Sequence, residues 1–338
     1  MKTVKKVRED GRRNDALDFT KGTLVLFMIL YHWFNYFVGV GGTVFTYLRF
    51  IPPSFVFLAG FIIANVYPAK YGLDSLVIYR RLIARGLKLL LLFTVLNVVA
   101  NLGVTNSYRQ AMPGLDGFLQ DAAQVYIIGN VKAVFSILVP ISYLMLISAI
   151  IFSLGRRTNT NLQWLFLWFG GIAVILDLWG DWNSHLMLLG VGLLGVSCGF
   201  TSIEAIEKWV DHPYGLLALY VGYLTLLSLW GEDSLLQVLG VYLSVAVFYL
   251  LGMKKPCVNQ IQEMVTLLGQ YSLFAYLAQI ALLQLLFRSL PYLNLDHTSL
   301  LIISFIAAYA LTIGVVKTAH EARKRSPRVD LLYQTAFA

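Results

Sequence analysis

His32 is the residue of this sequence best placed to do chemistry, because it follows a long apolar run in which any ionisable group is costly and marks a functional position by default. Counting ~1.5 Å per residue from Gly22 places it about 15 Å into a helix, near the middle of a bilayer. At ~100° per residue, Asp18, Lys21, His32, Asn35 and Tyr36 share one face, a polar stripe that must turn towards protein. An imidazole, with an ordinary pKa near ~6.5, can accept a proton at neutral pH, which is what a general base must do. The plainer alternative is a histidine hydrogen-bonded to a neighbouring helix for packing.

Three other groups carry polar chemistry. Arg81, Arg85 and Lys88 fall on one helical face, with Arg80 and Lys70 nearby. Such a cationic ladder suits a polyphosphate, held through the guanidinium forks, or equally lipid phosphate at the membrane edge. The segment from Asp177 to His185 concentrates Asp177, Trp179, Asp181, Trp182 and His185. Indoles that stack on sugar rings and carboxylates that accept hydroxyl hydrogen bonds suit a carbohydrate, while an aromatic belt with an acidic outer loop explains the same residues. Ser272, Tyr276 and Gln279 share a further face and could serve as interhelical hydrogen-bond glue.

The elements that position these residues follow from composition. A chain 58% hydrophobic and only 13% charged is far from the ~25% charge of a soluble domain, so it belongs in a bilayer. Ten apolar runs approach the ~20 residues that a span requires. They lie near 22–40, 47–67, 82–103, 133–154, 162–178, 185–201, 214–230, 235–253, 265–287 and 298–316. The runs are continuous rather than alternating, which predicts helices and not a barrel. Although the N-terminus is basic like a signal peptide, its apolar run continues past Tyr31 without a small-residue cleavage site, and it reads as a retained span.

Basic residues set the orientation. With the N-terminus cytoplasmic, 22 of the 26 Lys and Arg residues fall on the cytoplasmic side, leaving Arg49, Arg109, Lys132 and Arg288 opposite. The expectation is therefore an all-α, polytopic membrane protein with about ten transmembrane helices and both termini cytoplasmic. It forms a single domain over 1–338, with basic cytoplasmic segments at 1–21 and 317–338. The net charge of +8 reads as a topology signal, since no soluble domain is present to turn it to nucleic-acid binding. The long connection at 104–131 is the expected lid. Two cysteines, Cys198 and Cys257, supply neither a disulfide framework nor a Cys-based metal site. No P-loop, Rossmann glycine pattern, HExxH or GxSxG is present.

Several short patterns carry a family likeness. Arg13 to Gly22 leading to Tyr31 and His32 sets a basic residue, Lys21, eleven positions before a histidine. Phe55 to Phe61, Tyr79 to Leu89, His185 to Gly190 and Ser272 to Gln279 follow in order. In these patterns the chain resembles the acyltransferase-3-like superfamily of integral membrane acyltransferases, which includes glucan-succinylating and heparan-glucosaminide N-acetyltransferase-like branches. It departs from the pattern at Lys21, where Arg is usual, at Ala59 in place of Ser, in the spacing of four between Arg81 and Arg85, and at Gln279 in place of His.

The resemblance implies an enzyme that takes an acetyl or succinyl group from cytoplasmic acyl-CoA, as a co-substrate with no tightly bound cofactor or metal. It delivers the group to a sugar hydroxyl or amine at the opposite membrane face. On this reading Arg81, Arg85, Lys88 and Lys21 hold the CoA phosphates, and His32 is the base. Asn35, Tyr36 and Tyr276 are candidate oxyanion donors, Asp18 orients Lys21, and Asp177, Asp181, Trp182 and His185 meet the acceptor. Membrane lipids are the other partner, and the cell (inner or plasma) membrane is the expected location. The rival reading is a proton-coupled transporter or flippase for a small anionic or glycan-linked substrate, against which stands the lack of a visible inverted repeat.

Overall fold

The computed structural model describes residues 14–39, 43–72, 75–103, 124–129, 134–158, 160–180, 184–231, 233–254, 259–293 and 296–337. The chain is an all-α, polytopic membrane protein, and no strand occurs among these residues. Its helices are α1 (Asp15–Trp33), α2 (Thr43–Thr46), α3 (Ile51–Tyr71), α4 (Leu76–Gly103), α5 (Leu138–Thr158), α6 (Leu162–Gly180) and α7 (Ser184–Gly199). They continue as α8 (Ile203–Val210), α9 (Pro213–Trp230), α10 (Ser234–Lys254), α11 (Asn259–Gln270), α12 (Ser272–Ser289), α13 (His297–Arg325) and α14 (Pro327–Phe337).

Among the described residues eight helices are long and apolar enough to cross a membrane, and α7 with α8, bent by 103°, would make a ninth. The expected first span, 22–40, falls on α1, whose Asp18, Lys21 and His32 dilute its apolar character, so it is not among these. The expected ninth span, 265–287, is broken at Tyr271, where α11 ends and α12 begins.

Contacts divide the chain into two compact units. Among the described residues, one lies within 52–212 and 225–242, and the other within 14–51, 213–224 and 243–337. In the first unit α3 and α7 cross on glycines. A Cβ on Gly60 would lie 2.1 Å from the Gly192 carbonyl oxygen, and one on Gly195 2.1 Å from that of Phe57. Between helices in lipid, where burial gives no hydrophobic gain, such close backbone approach supplies the van der Waals contact that holds them. Helices α4 and α5 are tied by Ser142 Oγ, which donates to the Gly86 carbonyl at 2.5 Å.

The second unit packs α1 against α11 in the same way. A Cβ on Gly269 would lie 1.7 Å from the Asp18 carbonyl oxygen, and one on Gly22 1.8 Å from that of Val265. Helix α1 opens with Asn14, whose side-chain oxygen accepts from the Leu17 amide at 3.1 Å while its amide donates to Tyr249 at 3.0 Å. Two long-range bonds fix α1 to α13. Trp33 Nε1 donates to Ser304 at 2.9 Å, and the Tyr309 hydroxyl donates to the Leu26 carbonyl, also at 2.9 Å.

Candidate functional site

The polar stripe of α1 faces protein. Asp18, Asn35 and Tyr36 are all buried, and Lys21 keeps only a small part of its side chain exposed. Asp18 Oδ1 holds Lys21 Nζ at 2.5 Å one turn along the helix, so the carboxylate fixes the ammonium. Immediately after His32 and Trp33 the helix widens into a π turn over Phe34–Val38, ending at Gly39 with φ of 103°. Such turns carry one residue more than an α turn and recur at functional positions. This one carries Asn35 and Tyr36, and nothing in the local sequence signals it.

His32 is half-buried in an aromatic setting. Tyr31 lies edge-on at a ring-centroid distance of 5.3 Å, and Tyr276 of α12 lies at 6.2 Å. Further along, Tyr36 and Phe37 each meet Phe287 at 5.7 Å. Thus α1 and α12 bring His32 beside Tyr276, and the π turn that follows α1 carries Asn35 and Tyr36, the latter against Phe287 of α12.

Gln279, one turn beyond Tyr276, is completely buried, and both its carboxamide oxygen and its nitrogen lack a hydrogen-bond partner among the described residues. The Gln284 amide nitrogen is in the same position. A buried carboxamide left unpaired costs on the order of 1–3 kcal/mol, so Gln279 is the most conspicuous unmet polar group of α12.

The cationic ladder lies in the other unit and is built on a helical hairpin. Tyr67 and Tyr71 on α3 and Arg81 and Arg85 on α4 are each spaced by four, and the antiparallel helices bring them face to face. Arg81 Nη1 donates to the Tyr71 hydroxyl at 2.6 Å, with its guanidinium 4.4 Å from the ring centre. Arg85 likewise donates to the Tyr67 hydroxyl and sits over that ring. Among the described residues no carboxylate lies within ion-pair distance of Arg81, Arg85 or Lys88, which leaves their charge available to an anion. Tyr67 and Tyr71 are not among the residues singled out in the sequence, and the matching four-residue spacings are the signal that points to them.

The acidic aromatic segment is only partly described, since Asp181 and Trp182 lie outside the described residues. Asp177 is half-buried and accepts from Ser234 Oγ at 3.2 Å. His185 is buried, with Nε2 3.0 Å from the Val125 carbonyl oxygen and its ring edge-on to Tyr143 at 6.3 Å. That imidazole joins α7 to a π turn at Gln124–Ile128, which is what the structure describes of the expected lid together with Gly129. The turn is anchored inside its unit. The Tyr143 hydroxyl donates to the Tyr126 carbonyl at 2.7 Å, and Thr94 Oγ1 hydrogen-bonds the Tyr126 hydroxyl.

Among the described residues no three His, Cys, Asp or Glu side chains gather as metal ligands. No protein-family model matches the chain, and neither does any curated protein or solved structure.

Proposed function

We propose that the protein is a membrane-embedded acyltransferase in which His32 is the general base. The observation that carries this reading is the setting of His32: a half-buried imidazole beside Tyr276, on a helix whose polar stripe is otherwise buried, next to the π turn that carries Asn35 and Tyr36. The resemblance of the Lys21-to-His32 and Ser272-to-Gln279 segments to acyltransferase-3-like enzymes supports the same conclusion.

In this reading the acyl donor is acetyl-CoA or succinyl-CoA. Its phosphates are taken by Arg81, Arg85 and Lys88, whose guanidinium and ammonium groups have no carboxylate to neutralise them among the described residues. Lys21, already paired with Asp18, contributes less. His32 removes the proton from an acceptor hydroxyl or amine as the oxygen or nitrogen attacks the thioester carbonyl, and the CoA thiolate leaves. The hydroxyls of Tyr36 and Tyr276 and the amide of Asn35 are the donors suited to the oxyanion that forms. The acceptor is a sugar, met by Asp177, Asp181 and Trp182, while His185, expected beside them, is buried against the Val125 carbonyl and holds the turn at Gln124–Ile128. The enzyme works in the cell (inner or plasma) membrane, with both termini cytoplasmic.

The test is incubation of purified protein with radiolabelled acetyl-CoA or succinyl-CoA and a panel of membrane-extracted glycans. Label should pass to one glycan class, and His32→Ala should abolish transfer while acyl-CoA binding survives. Wild-type transfer rates in His32→Ala would refute the assignment. Uptake of an anionic or glycan-linked solute by proteoliposomes without acyl-CoA would establish the transporter reading in its place.

A further inference from the structure

The last two helices carry a second, independent feature. Helix α13 continues for more than two turns past Val316, the end of its apolar run, through Lys317, His320, Arg323, Lys324 and Arg325. After the single residue Ser326, α14 folds back rather than trailing into water. One guanidinium makes the fold. Arg323 Nε donates to Asp330 Oδ1 at 2.8 Å, and Nη2 reaches the same oxygen at 2.6 Å. Nη1 donates to the Tyr271 hydroxyl at 2.9 Å, and the group stacks 4.0 Å from the centre of the Tyr333 ring. The Tyr271 hydroxyl also lies 3.1 Å from His320 Nδ1.

An aromatic wall completes the attachment. Tyr333 meets Tyr271 at 5.2 Å and Phe274 at 6.1 Å, and Phe337 meets Phe274 at 5.5 Å. Phe274 stands in the first turn of α12, at the start of a membrane span, so α14 lies at the level where that span begins. Its other face is bare and amphipathic, with Leu331 66%, Leu332 70% and Val329 37% exposed and with Arg328 and Thr335 set between the two leucines. Arg325 and Arg328 stand at the beginning of this face, and both are exposed.

We infer that α14 is an interfacial helix that lies in the plane of the membrane, with Leu331 and Leu332 inserted among acyl chains and Arg325 and Arg328 on anionic lipid headgroups. Two properties of the helix select a lipid leaflet as the occupant. The helix is latched to the end of a spanning segment, and it pairs exposed leucines with cationic residues, the combination that binds an anionic interface. The basic segment at 317–338, expected as a cytoplasmic tail, thus becomes a built membrane contact. The inference does not depend on the acyltransferase reading.

The full chain, with Cys198→Ser and Cys257→Ser, would carry a single nitroxide label at Leu331→Cys, Leu332→Cys or, as a water-facing reference, Lys324→Cys. Reconstitution into nanodiscs of phosphatidylcholine with phosphatidylglycerol, and of phosphatidylcholine alone, then allows collision rates with oxygen and with a nickel chelate to be compared. Labels at 331 and 332 should favour oxygen and report a depth about 5–10 Å below the phosphates. Adding Arg325→Gln and Arg328→Gln should make both labels shallower in the anionic discs. Nickel accessibility at 331 and 332 equal to that at 324 would overturn the inference, as would spin–spin broadening from a second copy on that face. Unchanged depth in the double arginine variant would overturn the headgroup contact.

Discussion

Asn97 and Gln279 carry the same carboxamide in apolar surroundings, yet the protein treats them in opposite ways. In the first unit Asn97 Nδ2 donates to the Phe93 carbonyl at 3.0 Å and the Val134 carbonyl at 2.8 Å, and its oxygen accepts from the Val134 amide at 2.9 Å. In the second unit Gln279 bonds to nothing among the described residues. The histidines differ along the same line. His185 is buried against a backbone carbonyl, whereas His32 is half-buried among aromatic rings. The contrast teaches that one side-chain type serves two ends: Asn97 and His185 hold backbone segments in place, whereas Gln279 leaves its carboxamide unmet among the described residues and His32 stands beside Tyr276.

The sharpest way to break this comparison is kinetic. His32→Ala should lower acyl transfer by about 10² to 10⁴, the usual contribution of a positioned base, while His185→Gln should leave most of the rate and lower thermal stability instead. Equal rate losses for the two, in the radiolabel assay, would erase the distinction. Tyr276→Phe, which keeps the ring and deletes one donor, is expected to cost about 10² in rate if that hydroxyl serves the oxyanion.

Stability measurements in detergent sharpen the carboxamide pair. Asn97→Leu strands the Val134 amide and should cost about 1–3 kcal/mol, whereas Gln279→Leu removes a group with no partner to strand and should be neutral or stabilising. A Gln279→Leu variant as unstable as Asn97→Leu would mean that the amide is satisfied by the fold after all. Gly269→Ala, whose methyl has no room against the Asp18 carbonyl, should force α1 from α11 and destabilise by at least about 1–3 kcal/mol.

The smallest effect concerns pH. Asp296 caps α13 outside the membrane span, and the hydrogen bonds from Ser299, hydroxyl first and then amide, hold its carboxyl below the usual carboxylate range. Because the folded-state pKa is depressed, this capping contribution is present above the unfolded pKa of ~3.9 and is lost as pH falls through the folded value. Asp296→Asn keeps a cap and should remove that small acid dependence, read as the shift of melting temperature between neutral and acidic buffer.

Much of this was legible in the residues. The length and continuity of the apolar runs imply helices across a bilayer, and the ~100° spacing of Asp18, His32, Asn35 and Tyr36 implies the protein-facing stripe of α1. The break at Tyr271 has only a short local signal, Gly269, Gln270 and Ser272, set between Leu267–Leu268 and Leu273–Phe274, so an apolar run drawn over 265–287 passes across it. Pairing across space was equally hidden. His185 reads as one of the residues that meet a carbohydrate acceptor, but its partner is a carbonyl sixty positions earlier. The tail at 317–338 reads as solvated charge until Arg323 is seen to bind Asp330 and Tyr271 at once.

The widened turn at Phe34–Val38 has a consequence for how this protein tolerates change. A turn of that kind holds one surplus residue, so excising a single position there would tighten it to ordinary pitch. The chain would keep its apolar length, its charge bias and the orientation of every segment. Yet Asn35 and Tyr36 would swing by about a quarter-turn relative to His32. A one-codon deletion invisible to any hydropathy plot would thus disassemble the face on which the proposed chemistry rests.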